Sequence, residues 1–250
     1  MARYFLFLSF KGTAYKGWQL QPGKHTVQGV LAGALSTILS APTTLTGAGR
    51  TDTGVHASFF CAHFDAGRND LQSDGQFLYN LNSLLPSDIA VSSIVKVRPD
   101  ANARFDAISR TYRYTITRKK DPFAADSAWL LYCNLDLKRL NEASGILLNH
   151  NDFTSFSRLH GGNRTNICSV TMARWEEDGD RLLFTISADR FLRNMVRAIV
   201  GTLIPVGRGK MTSAEFEAVL NGRNRGLAGQ SAPAQGLMLT AIEYPDSLFV

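Results

Sequence analysis

Arg50 and Asp52 stand two residues apart in a run framed by glycines, Gly47-Ala48-Gly49-Arg50-Thr51-Asp52-Thr53-Gly54-Val55-His56-Ala57. Such a run makes a tight, exposed backbone that presents a carboxylate and a guanidinium together. An ionised carboxylate held this way can add to a ring or accept positive character at a reacting carbon. A dinucleotide fingerprint needs a glycine where Asp52 stands and a long helix directly after it, and a P-loop needs Gly-Lys-Ser/Thr; neither pattern is present. His56, His63 and Asp65, taken with Asp52, match no spacing of a metal motif, so no metal is expected. The alternative, structural reading is a glycine turn whose aspartate caps the loop backbone.

Two further stretches have residue types suited to a polyanion. In Ser109-Arg110-Thr111-Tyr112-Arg113-Tyr114-Thr115-Ile116 a period of two puts Arg110, Tyr112, Tyr114 and Ile116 on one face. Aromatics interleaved with arginines make a stacking platform beside phosphate grips, each stacked base contributing about 1–3 kcal/mol. Strands favour tyrosine for packing as well, and Tyr114 is expected to face the core. In Asp189 to Val200, read as part of a helix, Arg190, Arg193 and Arg197 fall within about 60° of one another, opposite Leu192, Met195, Val196 and Ile199. Three aligned cations repel, so an anion must offset them, either Asp52 or RNA phosphate.

The elements that position these residues follow from periodicity and breakers. Tyr4 to Phe10 reads as a first strand rather than a signal peptide, because Lys11-Gly12 ends the apolar run before any small-residue cleavage site. Val27, Val30, Leu31, Ala34, Leu35, Ile38 and Leu39 mark one helical face closed by Pro42. Thr43 to Thr46 and Ser58 to Phe64 read as strands around the glycine run, Asp74 to Leu85 as a helix stopped by Pro86, and Ile89 to Val97 as a strand. The second half gives a strand (Ser109 to Thr117), a helix (Leu137 to Leu148) and a strand (Cys168 to Trp175). After a turn at Asp178-Gly179-Asp180 come a strand (Leu182 to Ala188), a helix (Phe191 to Ile204) and a strand (Leu237 to Tyr244). This split βαβ order predicts an α+β protein with mostly antiparallel sheets and helices on one face. The junction is expected at Asn102 to Asp106, where an Arg-rich stretch begins, dividing an N-terminal lobe at 1–105 from a C-terminal lobe at 106–250.

Composition agrees with a nucleic-acid partner without naming it. The 250 residues carry 27 Lys+Arg against 21 Asp+Glu, a formal charge of +6 and a pI near 9.4. Of the cations 19 are arginine, whose planar fork grips phosphate and stacks on bases. With 44% hydrophobic residues and a mean hydropathy of −0.08, a core is affordable and no bilayer-spanning stretch is expected. Cys61, Cys133 and Cys168 are too few and too scattered for a disulfide framework or a zinc ribbon, which points to a reducing cytoplasm.

The glycine-framed run resembles the signature of the TruA family of tRNA pseudouridine synthases. Further blocks resemble that family in the same order: Gly12-Thr13-Ala14-Tyr15-Lys16-Gly17-Trp18-Gln19 with Thr26-Val27-Gln28, Asn102-Ala103-Arg104-Phe105 leading into Ser109 to Tyr114, and Asp152-Phe153-Thr154-Ser155-Phe156. Phe191-Leu192 with Met195-Val196-Arg197 and Ile199-Val200-Gly201, and Ala232-Pro233-Ala234 with Gly236-Leu237, complete the set, so the resemblance spans nearly the whole chain.

The resemblance implies isomerisation of uridine to pseudouridine at positions 38, 39 and 40 of the tRNA anticodon stem-loop, without cofactor or metal. It implies two lobes whose sheets adjoin across a basic cleft, and a homodimer that binds tRNA. Asp52 matches the nucleophile, Tyr112 the tyrosine that stacks on the target uracil and handles a proton, and Arg197 the residue that pairs with the aspartate and keeps it charged. Leu237 is then an apolar contact beside the ring, Arg50 a substrate contact, and Arg110, Arg190 and Arg193 grips on the RNA backbone. The sequence departs from the family pattern at Lys11, Thr53 and Asp189, none of them among the three central residues. A non-catalytic RNA-binding or RNA-chaperone protein is the rival reading, and intact Asp52 argues against it. A metal-dependent nuclease lacks paired carboxylates near Asp52.

Overall fold

The computed structural model describes residues 1–158 and 164–250. Its contacts divide the chain into two units, Met1–Ile108 with Leu239–Val250, and Ser109–Met238. Residues 239–250 thus belong with the first unit rather than with the lobe expected to span 106–250.

In the first unit the order is β1 (Ala2–Phe10), α1 (Val27–Leu39), β2 (Thr46–Gly47), β3 (His56–Ala66), α2 (Gly75–Leu84) and β4 (Ile89–Val97). β1 lies between β3 and β4 and is antiparallel to both, with Tyr4 opposite Phe64 and Phe5 opposite Val95. The strand is apolar on both sides because both are covered. Phe10 packs with Trp18 and Phe60 on one, and Phe5 meets Tyr244 at 5.0 Å and Phe249 at 6.2 Å on the other. α1 is capped by Thr26, whose side chain accepts from Gly29 N, and buries Val27, Leu31, Ala34 and Leu35. α2 is capped by Asp74 and buries Phe77 and Leu81. Of the strand expected at Thr43 to Thr46, only Thr46 joins one, because pairing to β3 begins there.

In the second unit β5 (Ser109–Thr117) is followed by β6 (Trp129–Leu130), α3 (Leu137–Ile146), β7 (Val170–Asp178), β8 (Arg181–Ala188), α4 (Met195–Gly207) and α5 (Ser213–Asn221). β9 (Leu237–Glu243) starts in this unit and ends in the first. β8 lies between β5 and β7, antiparallel to both, and β6 is parallel to β5. Trp175 stacks on Phe184 at 4.8 Å and donates its Nε1 proton to Ser144 Oγ at 3.1 Å, so the core aromatic keeps its polar atom satisfied. α3 and α5 pack on α4, which is buried along nearly its whole length. The chain is a mixed α/β protein with mainly antiparallel strands. Among the described residues no helix is long and apolar enough to cross a membrane, and all three cysteines are free thiols.

Candidate active site

Asp52 lies in the loop between β2 and β3, half-buried, between exposed Arg50 and exposed Thr53. The backbone shapes this loop. Val55 N donates to Asp52 O at 3.1 Å, closing a turn whose third residue, Gly54, has φ +80°. Ala48 N donates to Cys61 O at 2.8 Å, and Trp18 N to Thr51 O at 3.3 Å, so strand and neighbouring loop grip the residues on either side.

The neighbouring loop is the Gly12 to Trp18 block. A Cβ on Gly12 would lie 2.0 Å from Val55 O, and one on Gly17, at φ +86°, would lie 2.4 Å from Thr51 O. A Cβ on Gly47 would meet the Trp18 indole nitrogen at 2.4 Å. Gln28 secures the same block, accepting from Leu20 N at 2.8 Å and donating to Leu45 O at 2.7 Å. Periodicity does not reveal these roles; the one available signal was the pair of glycines bracketing a tyrosine and followed by a tryptophan.

The histidines and acid weighed as metal ligands have other work. Gly12 N donates to His56 Nδ1, and Ala103 N to His63 Nδ1, both at 3.0 Å, while Asp65 pairs with Arg3 at 2.8 Å. Burial, with Arg3 nearby, holds the His63 pKa below its ordinary value, consistent with a ring nitrogen that must accept.

The other predicted residues lie in the second unit. Tyr112, half-buried on β5, meets Phe191 edge-to-face at 5.1 Å. Arg110, on the same strand, donates to Asp189 O at 2.7 Å. Tyr114 is fully buried as expected, and its hydroxyl donates to Pro233 O at 2.8 Å. Burial raises its pKa, against a smaller opposing effect of Arg197, so it remains a donor. Arg197, in the first turn of α4, donates from Nε to Ala232 O at 2.7 Å and accepts Ala232 N at its carbonyl at 2.9 Å. Leu237 is buried at the start of β9, just after Gly236, where a Cβ would lie 2.6 Å from the Tyr114 ring.

One expectation fails here. Arg190, Arg193 and Arg197 do not share a helix face, because α4 starts at Met195 rather than Phe191. Asn194 adopts the left-handed conformation at φ 68°, which asparagine tolerates better than most residues, and Met195 N turns back to Leu192 O. Asp189 Oδ1 accepts from both Ser169 N and Arg190 N at 2.7 Å, fixing the leading turn. Arg190 and Arg193 therefore sit on an irregular segment ahead of the helix.

Residues 146–245 match a family model described as tRNA pseudouridine synthase. The chain is 49% identical to tRNA pseudouridine synthase A of Bacteroides fragilis over 248 residues, 99% of this chain and 98% of the relative. It is 47% identical to the protein of that name from Porphyromonas gingivalis over 252 residues, 100% of both. The protein of that name from Geobacter sulfurreducens is 40% identical over 244 residues, 96% of this chain and 98% of the relative. With such identity over its full length, the chain belongs to the TruA family of tRNA pseudouridine synthases.

Proposed function

We propose that the protein isomerises uridine to pseudouridine at positions 38, 39 and 40 of the tRNA anticodon stem-loop, with Asp52 as nucleophile and no cofactor. The observation that carries the reading is the Asp52 loop, where a main-chain bond closes the turn that a half-buried aspartate heads. In this reading the two units are split βαβ lobes with adjoining sheets and a basic cleft, and Asp52, Tyr112 and Arg197 act on one uridine. The protein works as a cytoplasmic homodimer, and Arg110, Arg190 and Arg193 grip RNA backbone.

The reaction breaks the bond from N1 to C1′, turns the uracil over, joins C5 to C1′, releases the C5 proton and protonates N1. Oxidation state is unchanged, so no redox cofactor is needed. The ionised Asp52 adds to the ring or supports positive character at C1′, and Arg197 keeps it charged. The uracil must leave the helical stack to react, and the Tyr112 ring and Leu237 replace part of the lost contact.

Mapping pseudouridine in tRNA incubated with the purified protein tests the reading. Pseudouridine at 38, 39 or 40, persisting in chelator, is expected. Binding of tRNA without any isomer formed would favour the non-catalytic RNA-binding alternative.

A further inference from the structure

Residues 228–233 run along α4 and meet its successive turns. Gly229 N donates to Thr202 Oγ1 at 2.9 Å, a Cβ on Gly201 would lie 1.8 Å from Gln230 O, and Asn194 Nδ2 donates to Ser231 Oγ at 2.6 Å. Ala232 then exchanges two bonds with Arg197, accepting from Nε at 2.7 Å. A further side chain from outside the strap ties it down. Arg225 donates from Nη1 to Ala228 O at 3.2 Å and Gly229 O at 3.1 Å, and from Nη2 to Ser231 Oγ at 3.1 Å.

Arg225 lies in a basic stretch with Arg208, Lys210 and Arg223, where charge alone gives it the role of a phosphate contact. The geometry points elsewhere. Both terminal nitrogens of its planar fork bond to the strap, a use that a point charge does not reproduce. Ser231 joins Arg225 to Asn194, the left-handed residue that starts α4 three positions before Arg197. We propose that Arg225 is a positioning residue for Arg197: with Ser231 and Asn194 it fixes the strap whose Ala232 carbonyl holds Nε, and so sets the direction of the Arg197 guanidinium. This rests on the assignment of Arg197 to the uridine-isomerising site.

The test compares Arg225→Gln, Arg225→Lys, Ser231→Ala, Ser231→Thr and Arg197→Ala in the full chain, with kcat counted per tRNA-binding-competent molecule so that an unfolded fraction does not register. Arg225→Gln is expected to lower kcat about ten-fold, with KM for tRNA and the salt dependence of binding unchanged. Arg225→Lys should not rescue, Ser231→Ala should lower kcat without adding to Arg225→Gln in the double variant, and Ser231→Thr should stay near the parent. Weaker tRNA binding in Arg225→Gln, a salt slope reduced by about one, parental kcat at saturation and rescue by lysine would make Arg225 a phosphate contact and overturn the proposal. Parental kcat in Arg225→Gln beside a large loss in Arg197→Ala would overturn the positioning role alone. Parental kcat in Arg197→Ala would overturn the site assignment and the positioning role with it.

Discussion

Close approach across glycines shapes the surroundings of Asp52, and a clamp of polar side chains shapes those of Arg197. Around Asp52 the absence of side chains at three glycines matters most: Gly12, Gly17 and Gly47 bring backbone or indole within a distance that a Cβ would block, and main-chain bonds run from Val55 to Asp52, from Trp18 to Thr51 and from Ala48 to Cys61. Around Arg197 the protein adds side chains, with Arg225 and Asn194 bonded to Ser231 of one strap. Excluded volume gives a position that tolerates no added atom, whereas a polar clamp gives one that weakens by degrees. In the proposed reaction the Asp52 carboxylate meets the substrate directly, which suits the first arrangement, and the Arg197 guanidinium needs only a direction, which suits the second.

The largest effect should come from the carboxylate itself. Asp52→Asn keeps the shape of the loop and should lower kcat by about 10⁴-fold or more while leaving tRNA binding near the parent, measured by isomer formation beside a binding assay. Substantial turnover in this variant would remove Asp52 as nucleophile.

Next comes the glycine cradle. Gly12→Ala places a Cβ 2.0 Å from Val55 O and should cost about 2–4 kcal/mol in urea unfolding. Gly49→Ala, where nothing lies within 4 Å of the new atom, should change stability by less than about 0.5 kcal/mol. Equal costs at the two sites would mean that excluded volume does not shape the surroundings of Asp52.

Tyr112→Phe keeps the ring against Phe191 and should lower kcat about ten-fold if the hydroxyl moves a proton. Parental turnover would leave stacking as its only role. The smallest effect is a pH dependence at the strand paired to β2, where His63 lies opposite Thr46. Burial lowers the His63 pKa, so the folded protein keeps the ring neutral while the unfolded chain takes up a proton near pH 6.5. Stability should fall as pH drops from about 6.5 toward the folded pKa. His63→Asn, whose Oδ1 still accepts from Ala103 N and cannot titrate, should flatten part of that fall in urea midpoints at pH 7.5 and 5.5.

The parts of the fold read from sequence are those with local causes. Val27–Leu39, Ile89–Val97 and Ser109–Thr117 form where periodicity and breakers put them, and Tyr114 is buried, as the packing preference of strand tyrosines predicts. α5 was absent from the expectations although its capping box, Thr212 with Glu215, is written in the chain. The start of α4 was misread because the periodicity of its apolar residues continues through Phe191 and Leu192, while the left-handed turn at Asn194 is held by a bond to Ser231, 37 residues away.

The sequence by itself determined the chemistry on offer: a glycine-framed aspartate, a tyrosine on an arginine-bearing strand, and a family signature running the length of the chain. These depend on residue identity and on neighbours a few positions away, so they are legible without coordinates. Tertiary structure alone decided how each is held. A missing Cβ matters only when another backbone lies where it would stand, as Val55 does for Gly12, and an arginine's charge is assigned only when its acceptors are known, as those of Arg225 now are.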